Sequence, residues 1–429
     1  KMGYKDIYKL QSITGANAKC EFIKAHRDDT YFKRFLYFAL NPMLTYNISK
    51  KSTDKLMAEE NFDGQKLIFF NDIFECCEHL SRLRGMDDAT LRQVKMLLNV
   101  KYPERDERDL YIQLLSKKVR LGIAAKTINK IIPNLIPEWE VQQAYTVEKY
   151  PLKEGTEFWL TQKLNGARAT LYEGQLLARS GMPYKGLEYI TDALSWLRVA
   201  GFVADGELTL KDKGDLSDNE AFRVSTGILN SDNVNKTVIC YTIFDMIPVK
   251  DFEALKPQVT YRYRRDILNQ FAERIADTDG AVKVLPVLYH GTDQSKIEEL
   301  LEQMVREDKE GLMINTDVPY RRTRHKGILK VKRFYTMDLP IIRCEEGTGR
   351  LSGTLGAFVL KYKENEVKVG SGFTDEQREQ FWNNRDDMEG LLCEVKYKEI
   401  SQDKGTGLES LQFPVFVGIR TDKTEVSYS

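Results

Sequence analysis

The chain has no surplus of charge of either sign: 64 Lys+Arg balance 64 Asp+Glu over 429 residues. That excludes a polypeptide whose bulk field alone would gather a polyanion or a cationic partner. Cysteine is sparse, and the six present (Cys20, Cys76, Cys77, Cys240, Cys344, Cys393) lack metal-binding spacing, so they read as free buried thiols in a reducing compartment. The four histidines, His26, His79, His290 and His325, are too scattered for a histidine metal site. Long apolar runs are missing as well. The longest, around residues 35–44, is interrupted by Asn41 and Pro42 and is too short to span a bilayer. The N-terminus has no apolar stretch of signal-peptide type, and Lys1 ahead of Met2 reads as a non-native remnant. These absences lead to the expectation of a cytoplasmic protein with no membrane segment. No internal repeat or low-complexity tract is present.

What is there is more specific. The length implies roughly two to four domains with ample core. Charge is balanced only globally: residues 1–140 carry 24 Lys+Arg against 19 Asp+Glu, so the remainder is negative by the same margin. The run Arg321, Arg322, Arg324, Lys326, Lys330, Lys332, Arg333 is strongly basic. A phosphate backbone meets local basic stripes rather than net charge. Up to about residue 135 the pattern is helical, with Leu91, Val94, Leu97 and Leu98 at helical spacing and Leu110, Ile112, Leu115 and Val119 likewise. Within 121–130, small residues flank Lys126 and Lys130, which share one helix face. That face suits close approach to a duplex, although taken alone it reads as an ordinary solvated lysine face.

Pro133, Pro137 and Pro151 mark a linker, after which the pattern turns mixed α/β. Strands are expected at 158–160, 169–172, 203–210, 238–244 and 311–314, with helices at 188–199, 263–275 and 295–307. From about 337, short strands alternate with glycine turns, and Thr374-Asp375-Glu376-Gln377 has the form of a capping box. Short strands with one helix suit a small barrel of the OB type.

The chemistry lies in an ordered set: Lys163-Leu164-Asn165-Gly166-Ala167-Arg168, Asp205-Gly206-Glu207-Leu208, Phe244-Asp245, Glu310-Gly311 and Lys330-Val331-Lys332. A lysine amine attacks a phosphorus only when neutral, which burial or neighbouring positive charge favours. Lys330 and Lys332, two apart on a strand, point to one side and can supply that charge and neutralise a phosphate. Phosphoryl transfer relies on positioning and charge neutralisation, which these residue types provide. Glu207 and Glu310 are candidates for holding a ribose and Mg²⁺. Phe244 is a candidate for stacking on adenine. Taken singly, each has a plain alternative: Lys163 a surface lysine before a turn, Glu207 and the two lysines the outer side of strands, Phe244 a core aromatic. Their joint order favours the chemical reading.

That order resembles the covalent nucleotidyltransferases (DNA ligases, RNA ligases and mRNA capping enzymes), and the flanking sequence resembles most closely the ATP-dependent DNA ligases of T-even-type bacteriophages. The resemblance implies that Lys163 carries AMP, that Arg168 contacts nucleotide or nick phosphate, and that Glu207 holds the AMP ribose. It implies Phe244 on adenine, Glu310 with metal, and Lys330 and Lys332 as the paired lysines. Thr161 occupies the adenine-specifying position. Arg179-Ser180-Gly181 resembles a further motif whose arginine meets the 5′-phosphate of a nick. Arg420-Thr421-Asp422-Lys423 resembles the last motif, which orients pyrophosphate during self-adenylation. Residues 121–130 with Leu135-Ile136-Pro137-Glu138 resemble a helical DNA-binding domain, so Lys126 and Lys130 become candidate DNA contacts. One departure stands out: Asn165 occupies a position where the family has aspartate, keeping the size but losing the charge.

The expected fold is multidomain α+β. A helical DNA-binding domain covers 1–135, an adenylyltransferase domain with an ATP-grasp-like ligase core covers 136–336, and an OB-fold β-barrel covers 337–429. The expected function is ATP-dependent sealing of 5′-phosphate/3′-hydroxyl nicks, using ATP and Mg²⁺, by a monomer that encircles duplex DNA in replication, repair or recombination. An RNA ligase, or a catalytically weak nick-binding protein on account of Asn165, are the alternatives.

Overall fold

The computed structural model describes residues 1–62, 67–232 and 234–428. From Tyr4 to Ile131 every regular element among them is a helix: α1 (Tyr4–Ser12), α2 (Ala16–Ala25), α3 (Thr30–Leu40), α4 (Lys50–Met57), α5 (Ile73–Ser81), α6 (Asp88–Lys101), α7 (Arg105–Leu115) and α8 (Ala125–Ile131). Short polar residues start them. Asp29, Ser49, Asp72 and Asp87 are the N-caps of α3 to α6, and each side chain accepts a backbone N–H three residues on, satisfying a donor that a helix start leaves open. The leucine periodicity is the inward face. Leu91, Val94, Leu97 and Leu98 of α6 and Leu110, Ile112 and Leu115 of α7 share one apolar cluster with Phe32, Phe35 and Leu36 of α3. α8 begins only at Ala125; Ile128 turns inward, while Lys126 and Lys130 are exposed. All six cysteines are free, with Cys20 and Cys344 half-buried and the rest buried.

Strands then take over: β1 (Gln143–Thr146), β2 (Phe158–Lys163), β3 (Ala167–Tyr172), β4 (Gln175–Ala178), β5 (Phe202–Leu210), β6 (Ile239–Pro248), β7 (Val282–Val284), β8 (Val287–Gly291), β9 (Gly311–Thr316) and β10 (Arg324–Lys332). They form two five-stranded sheets, β4-β3-β5-β6-β7 and β1-β10-β9-β2-β8. Every strand expected from the sequence falls on one of them. Two expected helices are broken in the structure: 188–199 is Glu188–Ala193 and Trp196–Ala200, and 263–275 is Tyr261–Gln270 and Ala272–Ala276.

The remaining strands are β11 (Tyr335–Glu346), β12 (Leu355–Tyr362), β13 (Asn365–Val369), β14 (Leu392–Tyr397), β15 (Glu399–Gln402), β16 (Glu409–Gln412) and β17 (Val415–Arg420). The capping box at Thr374 opens the helix Asp375–Asn383 as its sequence implies. The expected closed barrel is not what forms. The sheet is open, in the order β13-β12-β11-β14-β17, with β15 and β16 paired separately. Closure would need a ladder between the edge strands β13 and β17. Among the described residues the two edges are tied near Gly372 by one backbone bond, from Phe416 N–H to the Ser371 carbonyl at 2.9 Å, beyond the end of β13.

The chain divides into two compact units, Lys1–Asp293 with Met313–Leu329, and Gln294–Leu312 with the chain from Lys330 onward.

Candidate nucleotidyl-transfer site

In the first unit, Lys163 is the last residue of β2 and is half-buried. Thr161, two residues earlier, is buried and lies opposite Val287 of β8. The chain then turns through Asn165 and Gly166 into β3. A Cβ on Gly166 would lie 2.4 Å from the Leu208 carbonyl oxygen of β5, and one on Gly206 would lie 2.2 Å from the Thr242 carbonyl oxygen of β6. The glycines of these two motifs are therefore required by the close approach of neighbouring strands.

β3 and β5 pair with Arg168 opposite Glu207. Arg168 is committed to a buried carboxylate. Its Nε donates to Asp205 Oδ1 at 2.7 Å, and its Nη2 donates to Asp205 Oδ2 at 2.6 Å and to the Gln142 carbonyl at 2.9 Å. Asp205 also accepts from Thr170 Oγ1 at 3.2 Å and from the Tyr320 hydroxyl at 2.5 Å. Burial alone would weaken the charge on Arg168, but Asp205, by charge and hydrogen bonding, more than restores it. Burial first, and then the Asp205 charge, keeps the Tyr320 phenol protonated.

The same guanidinium lies 5.1 Å from the centre of the Phe244 ring and covers one face of it. Phe244 is fixed in turn through its neighbour. Buried Asp245 pairs with Arg264 at 2.8 and 3.2 Å, and Arg264 also donates to the Val259 and Val318 carbonyls. His325 Nε2 lies 2.8 Å from Gln142 Oε1, while its Nδ1 accepts the Gly327 N–H. Burial, then the Arg321 and Arg264 charges, pushes this histidine down to about 4, so it is neutral at neutral pH.

Asn165 turns away from this network. Its amide donates to Asp218 Oδ2 and to Asn219 Oδ1, both at 3.1 Å, at the start of the helix Asp218–Leu229.

Arg179 is exposed and donates to Gln143 Oε1 at 2.7 Å, and Arg324 donates to the same oxygen at 3.0 Å. Gln143 thus gathers two arginines from segments far apart in sequence. The basic run beginning at Arg321 does not form one exposed stripe. Arg322 turns in to donate to the Glu140 carbonyl and lies over the Phe252 and Trp139 rings. Lys126 is ion-paired to Glu140. A further cleft, lined by Lys50, Lys51, Lys117, Lys118, Lys185 and Lys236, runs between the helical segment and residues 178–188. Burial pushes Lys117 down to about 8 and also lowers Lys185 and Lys236.

In the second unit, Lys332 Nζ lies 3.8 Å from Glu310 and 3.0 Å from Glu399, and half-buried Lys330 precedes it on β10. Arg420 closes β17 and pairs with Asp422 at 2.9 Å, Asp338 at 3.5 Å and Glu394 at 3.8 Å; Lys423 reaches Asp338 at 3.0 Å. Among the described residues no group of three or more His, Cys, Asp or Glu stands together as a metal cage. Mg²⁺ is commonly held by one or two carboxylates together with substrate phosphates, so a single glutamate of either unit needs no such cage to take part.

Sequence reasoning did not find Gln142, Thr170, Tyr320, Arg264 or His325. They come from segments up to 183 residues apart, and no local spacing announces them.

A half-buried lysine at a strand end, with an arginine-backed aromatic and a strand-borne glutamate in the same unit, suits covalent nucleotidyl transfer. Comparison with known proteins narrows this. Residues 139–332 match the family described as ATP dependent DNA ligase domain, and residues 346–420 match the DNA ligase OB-like domain. The chain carries the adenylation and OB-like domains of the ATP-dependent DNA ligase family. A DNA ligase of Cenarchaeum symbiosum (strain A) is 30% identical over 243 residues, covering 45% of this chain and 40% of the relative. DNA ligase 1 of Drosophila melanogaster is 29% identical over 158 residues, covering 33% and 20%. The chain thus spans two fifths or less of these two relatives. A solved structure described as Pmar-Lig_PreS3 is similar in fold, with a TM-score of 0.51 and 22% identity over 98% of this chain and 99% of that one. No helix among the described residues is long and apolar enough to cross a membrane.

Proposed function

We propose that this protein is an ATP-dependent DNA ligase that seals 5′-phosphate/3′-hydroxyl nicks in duplex DNA. The observation that carries the reading is the order of the two ligase-family domains along the chain, with Lys163 at the end of β2 inside the first. In the first step the Lys163 amine attacks the α-phosphorus of ATP, a nitrogen–phosphorus bond forms, and pyrophosphate leaves. In the second, AMP passes to the 5′-phosphate at the nick and Lys163 is released. In the third, the 3′-hydroxyl attacks the adenylated 5′-phosphate, AMP leaves and the strand is closed.

The residues divide this work. Thr161 and Phe244 receive the adenine. Arg168, fixed by Asp205, backs the aromatic ring and presents fixed positive charge near the nucleotide. Glu207 takes the ribose. Lys330 and Lys332 neutralise the α-phosphate, and Arg420, Asp422 and Lys423 orient pyrophosphate in the first step only. Glu207 and Glu310 would be the carboxylates that hold Mg²⁺, which would offset the charge that develops on the phosphates. Arg179, with Arg324 beside it, meets the 5′-phosphate of the nick. The helical region 1–135 grips the duplex with the adenylation region 136–336 and the OB region 337–429, as a monomer in the cytoplasm. Lys126 must exchange Glu140 for a phosphate if it takes part.

Labelled ATP followed by nicked DNA tests this. Label on the protein, then sealed product, is expected; the absence of both would overturn the reading. Nick binding should also weaken steeply as salt rises, because bound cations are released from the DNA. A flat response would contradict a basic DNA-binding surface.

A further inference from the structure

The Asn165 side chain is held between two acceptors on the helix Asp218–Leu229. An ionised carboxylate can only accept, so the amide nitrogen of Asn165 must be the atom that faces Asp218. Asp218 is the first residue of that helix, where the helix dipole favours negative charge. The helix start is also fixed by the reciprocal bonds of Ser217 and Glu220. The amide therefore ties the turn that follows Lys163 to a rigid anchor.

We propose that Asn165 and Asp218 are a matched pair that positions the turn after Lys163, and that an aspartate at 165 is harmful in this chain. This rests on the ligase reading above. An aspartate at 165 would set two carboxylates about 3 Å apart, an arrangement in which both do not readily ionise. The bond that holds the turn would become a repulsion. Asparagine at this position is then not a lost catalytic charge; the negative charge of the pair resides on Asp218. Asn165 acts through the turn and is a positioning residue.

The test is a double-mutant cycle of Asn165→Asp, Asp218→Asn and the two together, read as single-turnover nick sealing by protein already adenylated. Asn165→Asp is expected to slow sealing by about tenfold or more, the size of effect that adjacent coupled charges produce. Asp218→Asn alone should cost less, because two amides can still bond. The double variant reverses donor and acceptor and should recover to within a few-fold of the starting protein. A merely structural role would show the same recovery in thermal unfolding but leave the single-turnover sealing rate of the folded protein unchanged. The same cycle is read in the midpoint of thermal unfolding, which needs no catalysis and stands even if the ligase reading fails. There the double variant should unfold above Asn165→Asp. An Asn165→Asp protein that seals as fast as the original, or a double variant no better than Asn165→Asp in both readouts, would overturn the proposal. Absence of lysyl-AMP in the unsubstituted protein would instead overturn the ligase reading, leaving the unfolding cycle to decide the pair.

Discussion

The two units of this chain hold their charged candidate residues in opposite ways. In the first, Arg168 pairs with a fully buried Asp205, and Thr170, Tyr320 and Gln142 complete its hydrogen bonds. Asp245 and Arg264 repeat the arrangement behind Phe244, almost entirely out of solvent. In the second unit the candidates are shared among several carboxylates, of which only Asp338 is buried. Arg420 is shared among Asp422, Asp338 and Glu394, and Lys332 between Glu310 and Glu399. A buried, fully bonded pair is costly to break and keeps its geometry. Exposed pairs exchange partners at little cost. In the proposed ligase reading the first unit supplies a fixed floor for the nucleotide. In the proposed reading the cations of the second are parked on carboxylates that phosphates would replace. For Arg420 that suits a residue needed in one step and not in the others.

The comparison can be broken most forcefully at Asp205. Asp205→Ala leaves Arg168 and Tyr320 without their acceptor, and the expected loss is about 3–5 kcal/mol of stability, measured by denaturant unfolding. A loss below about 1 kcal/mol would place this pair with the exposed ones.

His325 sharpens the same point through pH. Its folded value is lowered from 6.5 to about 4, so the unfolded chain takes up the proton first as pH falls. The stability associated with the neutral ring is complete above the unfolded value and is lost between about pH 6.5 and 4. Stability should therefore fall progressively as pH drops through that window, by less than the full shift implies because the ring is partly in water. His325→Gln should flatten that part of the pH profile. An unchanged slope would show that the histidine is not the group responsible.

Arg420→Ala probes the parked cations. Stability should fall only modestly, because Lys423 still pairs with buried Asp338, while self-adenylation slows by roughly a hundredfold, the usual cost of removing one donor to developing phosphate charge. Sealing by protein adenylated beforehand should be nearly unaffected. Equal loss in both steps would contradict a role confined to the first.

Much of the frame was legible in the sequence. Motif residues with strand periodicity fell on β2, β3, β5, β6 and β9, and the capping box at Thr374 opened its helix. Local signals carry such features, because strand alternation and caps are set within a few residues. Features that depend on distant partners were not legible. Tyr320 meets Asp205 from 115 residues away. Lys126, though exposed, is paired to Glu140, and Arg322 turns inward from a run that reads as a basic surface. Barrel closure likewise depends on edge strands finding each other, and β13 and β17 remain edges. The breaks within 188–199 and 263–275 have no local signal that we can name.

The central claim is that Lys163 carries the nucleotide. Incubating the protein and its Lys163→Ala variant with ATP and Mg²⁺, followed by intact-mass and peptide mapping, tests it directly. The account predicts one AMP adduct mapped to Lys163 and none on the variant. An adduct retained by Lys163→Ala, or mapped to another residue, would contradict it.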